Sequence, residues 1–515
     1  MSESFEGMSA LDPSAGDLRR WSEAVVDFVA RYRASLRDRR VAPITTSAAI
    51  RAAFDRALPE SGARFEDVLA EIEERLLPFL RHNGHPRMFG YVQSPGLAAA
   101  NLADLVASTL NANLTAWRSS PGAVEIEQLA IEWIREMLGL PRAGGGLLVS
   151  GGSLANLTAL IVARRARAPI DLARSGAHAL PRAMRLYVSA ETHHSVAKAA
   201  TILGIGLDHV RVVPVDDALR LRLDALEAMI EEDRHAGHQP FCVVGSAGTV
   251  GTGAIDPLAE IAAVARRHDL WFHVDASYGG FAALAPAVRP QLAAFGDADS
   301  IALDPHKWLY LPLDCGCVLW RDAEAARATF AHDAEYTRIM AHAPAESFAY
   351  WDYGPELSRR FRALKVWMAL RVAGVAAFRA AVEKDLACAA HLAAAIDASE
   401  DFERAAPVEL AIVCFRHVPV EARAARDGAA AAECERIERA IDAWNERLLV
   451  ALQRDGSSYL SNAGVAGRFA LRACVMNPRT TLEDMDRVLA DLRRVAAELP
   501  SPPGPSLSLP SQDIR

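Results

Sequence analysis

Residues 144–153 read Gly144-Gly145-Gly146-Leu147-Leu148-Val149-Ser150-Gly151-Gly152-Ser153: glycines, an apolar run, a second glycine pair and then the start of a helical pattern with no linker. The alternation continues to about residue 320. Short β-rich runs at 146–150, 186–189, 210–215, 241–245, 271–275, 300–303 and 316–320 are separated by helical stretches at 154–167, 195–203, 223–233 and 257–268. Strand and helix in turn predict a mostly parallel sheet with helices on its faces. Ligands of such sheets bind at the carboxyl ends of the strands, where helix N-termini also point. That rule says where to look for chemistry.

On either side of this core the pattern changes. Residues 16–80 are helical in period, with breaks at 41–43 and 58–62. The stretch 85–96, HPRMFGYVQSPG, is rich in Gly, Pro and aromatics and reads as a structured loop at a domain entrance. Residues 359–399 read as a long helical connector, 408–418 and 467–476 as strands, and 482–499 as a closing amphipathic helix. The expected division is a helical N-terminal segment at 1–95, a large α/β domain at 96–378, a small α+β domain at 379–499 and a disordered Pro/Ser-rich tail at 500–515.

Composition narrows the class. The 515 residues carry 56 Lys+Arg against 65 Asp+Glu, a formal charge of −9, with 51% hydrophobic and 23% charged residues. Those are globular values, and a chain this long holds about three domain-sized units. No basic cluster is free of interleaved acids, so nucleic acid is not an expected partner. No uncharged apolar run reaches about 18 residues, and the N-terminus lacks a basic region followed by an apolar one, so the expectation is a cytoplasmic protein with no membrane partner. Seven cysteines, an odd number mostly within apolar segments, fit a reducing compartment. The close pair Cys315-Gly316-Cys317 lacks a second pair or a nearby His, so no metal is expected.

Four strand ends carry candidate chemistry. Gly152 and Ser153, at the start of a helix, offer free N–H groups and the positive end of a helix dipole to a phosphate, although an ordinary tight turn explains them equally well. In Ser300 to Trp308, SIALDPHKW, Lys307 follows an apolar strand with His306 before it; a lysine in low-dielectric surroundings loses its proton readily and condenses with carbonyl compounds. In WFHVDASYGG, Asp275 ends an apolar strand, where a carboxylate needs a cationic partner, either a salt bridge or a protonated pyridine nitrogen. In LYVSAETHHS, His193 and His194 end another strand, and either could stack on a flat ring. A phosphate cradle, a ring-stacking imidazole, a carboxylate and an imine-forming lysine are together what pyridoxal phosphate requires.

The motifs HPRMFGY, VSGGSLANLTAL, ETHHSVAKAA, GSAGTVGTGAIDPL, HVDASYGG, DPHKW, LSRRFRALKVW and CVMNPRTT follow in this order from about His85 to Thr481. In them the chain resembles the pyridoxal-phosphate-dependent amino acid decarboxylases of the aromatic-L-amino-acid and glutamate decarboxylase type. The resemblance implies an aminotransferase type I-like large domain and a homodimer with sites at the subunit interface. It also implies a carboxy-lyase that converts an L-amino acid, aromatic by motif style, to the amine and CO2. Acidic or diamino substrates, or an aldehyde-forming relative, are the alternatives. By the same resemblance Lys307 is the Schiff-base lysine, Asp275 pairs with the pyridine nitrogen, His193 stacks on the ring, Gly152 and Ser153 hold the phosphate, and Ser94 lies beside the substrate.

Several positions depart from the pattern. Val250 stands where a second hydroxyl is usual, leaving Thr249 as the cofactor contact. Asp304 stands where relatives often carry Asn; a carboxylate beside a phosphate repels it, so Asp304 is expected to point at backbone donors or lie aside. With Asp304, His306 is expected in the cofactor's surroundings. Counting back from Arg359-Arg360-Phe361 reaches Tyr350 as the tyrosine that protonates the carbanion, with Tyr353 as the alternative after a short gap.

Overall fold

The computed structural model describes residues 11–54, 57–332 and 346–500. Its larger sheet contains β1 (Gly145–Val149), β2 (Met184–Ser189), β3 (Val210–Val213), β4 (Gln239–Ser246), β5 (Trp271–Asp275), β6 (Ser300–Leu303) and β7 (Gly316–Trp320) in the order β1-β7-β6-β5-β4-β2-β3. The five strands from β3 to β6 pair in parallel. β7 lies antiparallel to both β6 and β1. The reason is local: between Leu303 and Gly316 the chain has only a short helix, Pro305–Trp308, and no crossover long enough to carry it back for a parallel strand. The sheet is therefore mixed and mostly parallel. β5, β6 and β7 are buried along their whole length, which is why their sequences are continuous apolar runs rather than alternating ones.

A second sheet is antiparallel throughout, with β8 (Phe402–Arg404), β9 (Ile412–His417), β10 (Ser461–Val465) and β11 (Arg468–Cys474) in the order β10-β11-β9-β8. β9 and β11 are the two strands expected from sequence; the edge strands β8 and β10 were not. The two sheets are linked by the helix Ala363–Asp397, broken at Gly374 by φ 74° and ψ 152°. The helix Leu482–Glu498 closes the unit, started by a capping box in which Thr481 and Asp484 satisfy each other's amides.

The loop at 85–96 is tied to this second unit. Phe89 N–H donates to Tyr459 O at 2.8 Å and Cys474 N–H to Phe89 O at 2.8 Å, and Thr480 Oγ1 donates to Pro86 O at 2.6 Å. The loop thereby bridges N-terminal segment, sheet edge and cavity. Among the described residues no helix is long and apolar enough to cross a membrane. The expected tail beyond Pro500 lies outside the described residues.

Candidate active site

The strand ends of the larger sheet converge on one cavity of about 760 Å3. Gly152 and Ser153 after β1, His193 after β2, Thr249 after β4, Asp275 at the end of β5, and Asp304, His306 and Lys307 after β6 all line it. Ser461 and Arg472 of the second sheet and Tyr91 of the bridging loop form the facing wall. Residues more than 150 positions apart are thus gathered by the strand-end rule alone.

Asp275 is the best-supported group in the cavity. Its Oδ2 accepts from Asn156 Nδ2 at 2.8 Å and its Oδ1 from Ser277 N–H at 3.1 Å. Burial pushes the carboxyl up, but the contacts from Ser277, His273, Asn156 and Lys307 outweigh it and hold the group below the usual carboxylate range. Behind it, His273 Nε2 lies 2.8 Å from Asn156 Oδ1 and His273 Nδ1 2.9 Å from Ser300 Oγ. Burial pushes that imidazole down to about 4, so it is neutral at neutral pH.

The turn after β1 leaves no room for side chains. A Cβ on Gly152 would lie 2.4 Å from Ser277 Oγ and 2.9 Å from Asp304 Oδ2, and one on Gly316 would lie 2.4 Å from Gly151 Cα. The bare backbone of β7 therefore supports the turn from below. The helix Gly152–Arg167 starts here, and its first residues, Gly152, Ser153 and Leu154, line the cavity with the positive end of the helix dipole.

Lys307 and Asp304 form an ion pair, Nζ to Oδ2 2.8 Å, with Asp304 buried. Asp304 Oδ1 and Ser277 Oγ are buried without a partner in hydrogen-bonding geometry. His193 Nδ1 accepts from Ser195 N–H at 3.2 Å and lies 2.7 Å from Ser195 Oγ. Because Nδ1 is the acceptor, the proton of the neutral ring resides on Nε2. Burial lowers the proton affinity of both His193 and His306.

Four expectations change. Tyr350 is buried to 1% and does not line the cavity; its ring lies under Arg359, with the guanidinium carbon 4.0 Å from the ring centre, and its hydroxyl has no partner. Counting residues back from Arg359 located a tyrosine that packs on that same arginine, not one that reaches the site. Tyr353 stacks on Phe348 with ring centres 5.2 Å apart and does not line the cavity either. Ser94 lies outside the lining: its hydroxyl donates to His306 O at 2.8 Å and braces the loop against the lysine helix. Asp304 neither points at backbone donors nor lies aside, but pairs with Lys307. Thr249 does line the cavity, while its hydroxyl serves its own loop, accepting from Ala254 N–H at 3.2 Å.

Three contributors were missed. Asn156 stands one helical turn after Gly152, and a buried amide on an apolar helix face was its signal. Ser277, a small residue two positions after Asp275, has no sequence signal of its own. Arg472 sits in the apolar strand FALRAC; it is 3% exposed, donates to Gly251 O, Tyr91 O and Ser461 Oγ, and leaves one terminal nitrogen without a partner. Arg81 also lines the cavity, its guanidinium 4.6 Å from the Tyr91 ring centre.

The donor set fits pyridoxal phosphate: a glycine turn at a helix start with the Ser277 hydroxyl beside it, a buried carboxylate held ionised, and a lysine amine, all on one cavity. Comparison with known proteins agrees. The pyridoxal-dependent decarboxylase conserved domain matches residues 48–418. An aromatic-L-amino-acid decarboxylase of Bacillus atrophaeus is 35% identical over 489 residues, covering 95% of this chain and 97% of the relative. The crystal structure of Oryza sativa TDC with PLP and tryptamine superposes with a TM-score of 0.86 at 30% identity, covering 95% of this chain and 99% of that one. A Rhodiola rosea 4-hydroxyphenylacetaldehyde synthase structure gives 0.84 at 29% identity, with 95% and 99% covered. The chain belongs to the pyridoxal-dependent decarboxylase family and is a pyridoxal-phosphate-dependent amino acid decarboxylase.

Proposed function

We propose that the substrate is an L-amino acid with an aromatic side chain, released as the amine and CO2, and that Lys307, Asp275, His193, Gly152 and Ser153 carry the reaction. The observation that carries this reading is the Asn156–Asp275 contact at 2.8 Å, which keeps a buried carboxylate charged where a ring nitrogen would need it. Bound pyridoxal phosphate supplies an electron sink for the pair left by the departing carboxylate. The protein's own part is placement. Gly152 and Ser153 would hold the phosphate with amides and a hydroxyl, Asp275 would face the ring nitrogen as a carboxylate, and Lys307 would supply the amine that holds the aldehyde end. His193 offers its Nε2–H to the substrate face of the cavity, and with Lys307 it is a candidate to return a proton to carbon. Arg472, with one nitrogen unpaired, is suited to orient a substrate carboxylate.

Aromatic substrates are favoured by the Bacillus relative's activity and by the tryptamine in the Oryza structure, together with Tyr91 and Val92 in the lining. A second reading has support too: Arg81 and Arg472 both line the cavity and have no carboxylate partner among the described residues, which suits an acidic side chain and disfavours diamino substrates. The likeness to an aldehyde synthase, with neither Tyr350 nor Tyr353 at the cavity, keeps an aldehyde product open as the alternative outcome. Product analysis by mass spectrometry, with each amino acid offered separately, decides among them. Amine and CO2 from Trp, Tyr or Phe supports the proposal; turnover of Glu or Asp moves the side-chain reading; aldehyde overturns the product.

The cytoplasm is the proposed location, supported by seven free cysteines, six of them buried. A homodimer is proposed from the exposed Leu102, Leu105, Val106 and Leu110 on the helix Ala98–Leu110. A fully active monomer in light scattering would sink that. The break at Gly374 supports a division near 378 between the cofactor-binding part and the small C-terminal part.

A further inference from the structure

The phosphate cradle already contains an anion. Asp304 Oδ2 would lie 2.9 Å from a Cβ on Gly152, at the start of the helix whose first residues line the cavity, and the same Cβ would lie 2.4 Å from Ser277 Oγ. The carboxylate is therefore at the cradle itself and not beside it. It is buried, so water does not screen it, and Oδ1 has no hydrogen-bond partner. The cation that counters it is Lys307, 2.8 Å from Oδ2.

The other groups facing Asp304 do not replace that cation. His306, from the same short helix, has Nε2 3.6 Å from Oδ2, and burial favours its neutral form. His193, from the end of β2, is likewise made less basic by burial. From β5 and its following turn come Asp275, which is itself anionic, and Ser277. From β7 comes Cys317, whose thiol burial keeps protonated. The helix start at Gly151 and Gly152 contributes amides only. If the lysine amine turned to a bound cofactor's aldehyde it would leave Oδ2, and a phosphate and a carboxylate would then share the cradle without the cation that holds Asp304 here.

Two anions can occupy one dry site if a proton sits between them. We propose that Asp304 is protonated when pyridoxal phosphate is bound and donates a hydrogen bond to the phosphate, so that cofactor loading takes up one proton. This rests on the cofactor assignment above and concerns positioning, not the bond-breaking step. The atoms point the same way: Oδ1 is buried and unpartnered at the helix start, where a proton on Asp304 would make it a donor.

The test compares the wild type with Asp304→Asn, whose amide donates without needing a proton. Cofactor dissociation constants are measured across roughly pH 6.5 to 8.5, with loading scored by the visible absorbance of the bound cofactor. The wild type is expected to lose up to about tenfold in affinity per pH unit relative to the variant, the slope of one linked proton. Equal slopes in the two proteins would overturn the proposal, as would a failure of the wild type to load at all. Infrared difference spectra of the wild type with and without cofactor give a second readout that does not need the variant to fold. A protonated carboxyl band gained on loading is expected. A spectrum without it means that Asp304 stays ionised and that the proposal is wrong.

Discussion

Asn156 faces Asp275 with its Nδ2 and His273 with its Oδ1, both at 2.8 Å. One amide therefore couples a carboxylate that is held charged to an imidazole that is held neutral. The direction of the chain is fixed by its ends: Trp271 Nε1 donates to Ser300 Oγ at 2.8 Å, which leaves the hydroxyl to donate to His273 Nδ1, and His273 Nε2–H to donate to Asn156.

Asn156→Ala should weaken cofactor binding by roughly 10- to 100-fold, the loss of a hydrogen bond to a buried charge, worth about 1.5–3 kcal/mol. Equilibrium titration of the cofactor checks it. Asn156→Asp should be worse, because a second carboxylate then faces Asp275.

His273 predicts a pH effect on stability. Its proton affinity in the folded protein corresponds to about 4 against an ordinary 6.5, so on acidification the unfolded chain binds the proton first. Stability is lost as pH falls from about 6.5 to about 4, by about 3 kcal/mol in total from this group. Denaturant unfolding of the cofactor-free protein should show that slope, and His273→Gln should reduce it by about one proton. His85, also pushed down to about 4 by burial, keeps its share in both proteins.

Arg472→Met should raise KM by roughly 10- to 100-fold with a smaller change in kcat, if the unpaired nitrogen meets a substrate carboxylate. Arg472→Lys keeps the charge but loses the fork and should recover only part of the loss. Steady-state kinetics on both variants, with Tm measured alongside, separates binding from damage to the strand.

Tyr350→Phe should leave kcat and the product unchanged. The hydroxyl is buried, unpartnered and outside the cavity lining, so removing it should not destabilise the protein and should stabilise it by up to about 1 kcal/mol. A product switched from amine to aldehyde in this variant would contradict its position under Arg359.

The larger sheet was legible because its central strands are buried on both faces and its helices have a clear period; β5, β6 and β7 fall on the residues expected. The reversed direction of β7 was not legible, since direction depends on the length of the connection and not on the strand's own residues. Edge strands escaped for another reason: Phe402–Arg404 is three residues long, and Ser461–Val465 is built of small residues without apolar alternation. At the site, groups that announce themselves by chemistry, such as Lys307 and Asp275, fell on the cavity. Asn156 and Arg472 did not stand out because the partners that define their roles, Asp275 and His273 for the one and Gly251 and Tyr91 for the other, are more than a hundred residues away. Tyr350 was misplaced because distance along the chain says nothing about the direction of a side chain.

The contact of Gly316 with Gly151 means that the floor beneath the cofactor turn is one polypeptide backbone laid on another. Packing there has no side chain to trim or rotate, so even a single methyl group must lift the turn by the thickness of an atom. Position 316 is thus a height adjustment for the cradle, made by a residue that never meets the ligand. Random mutagenesis screened for cofactor retention should recover damage at this glycine on the far side of the turn, where a search confined to the cavity would not look.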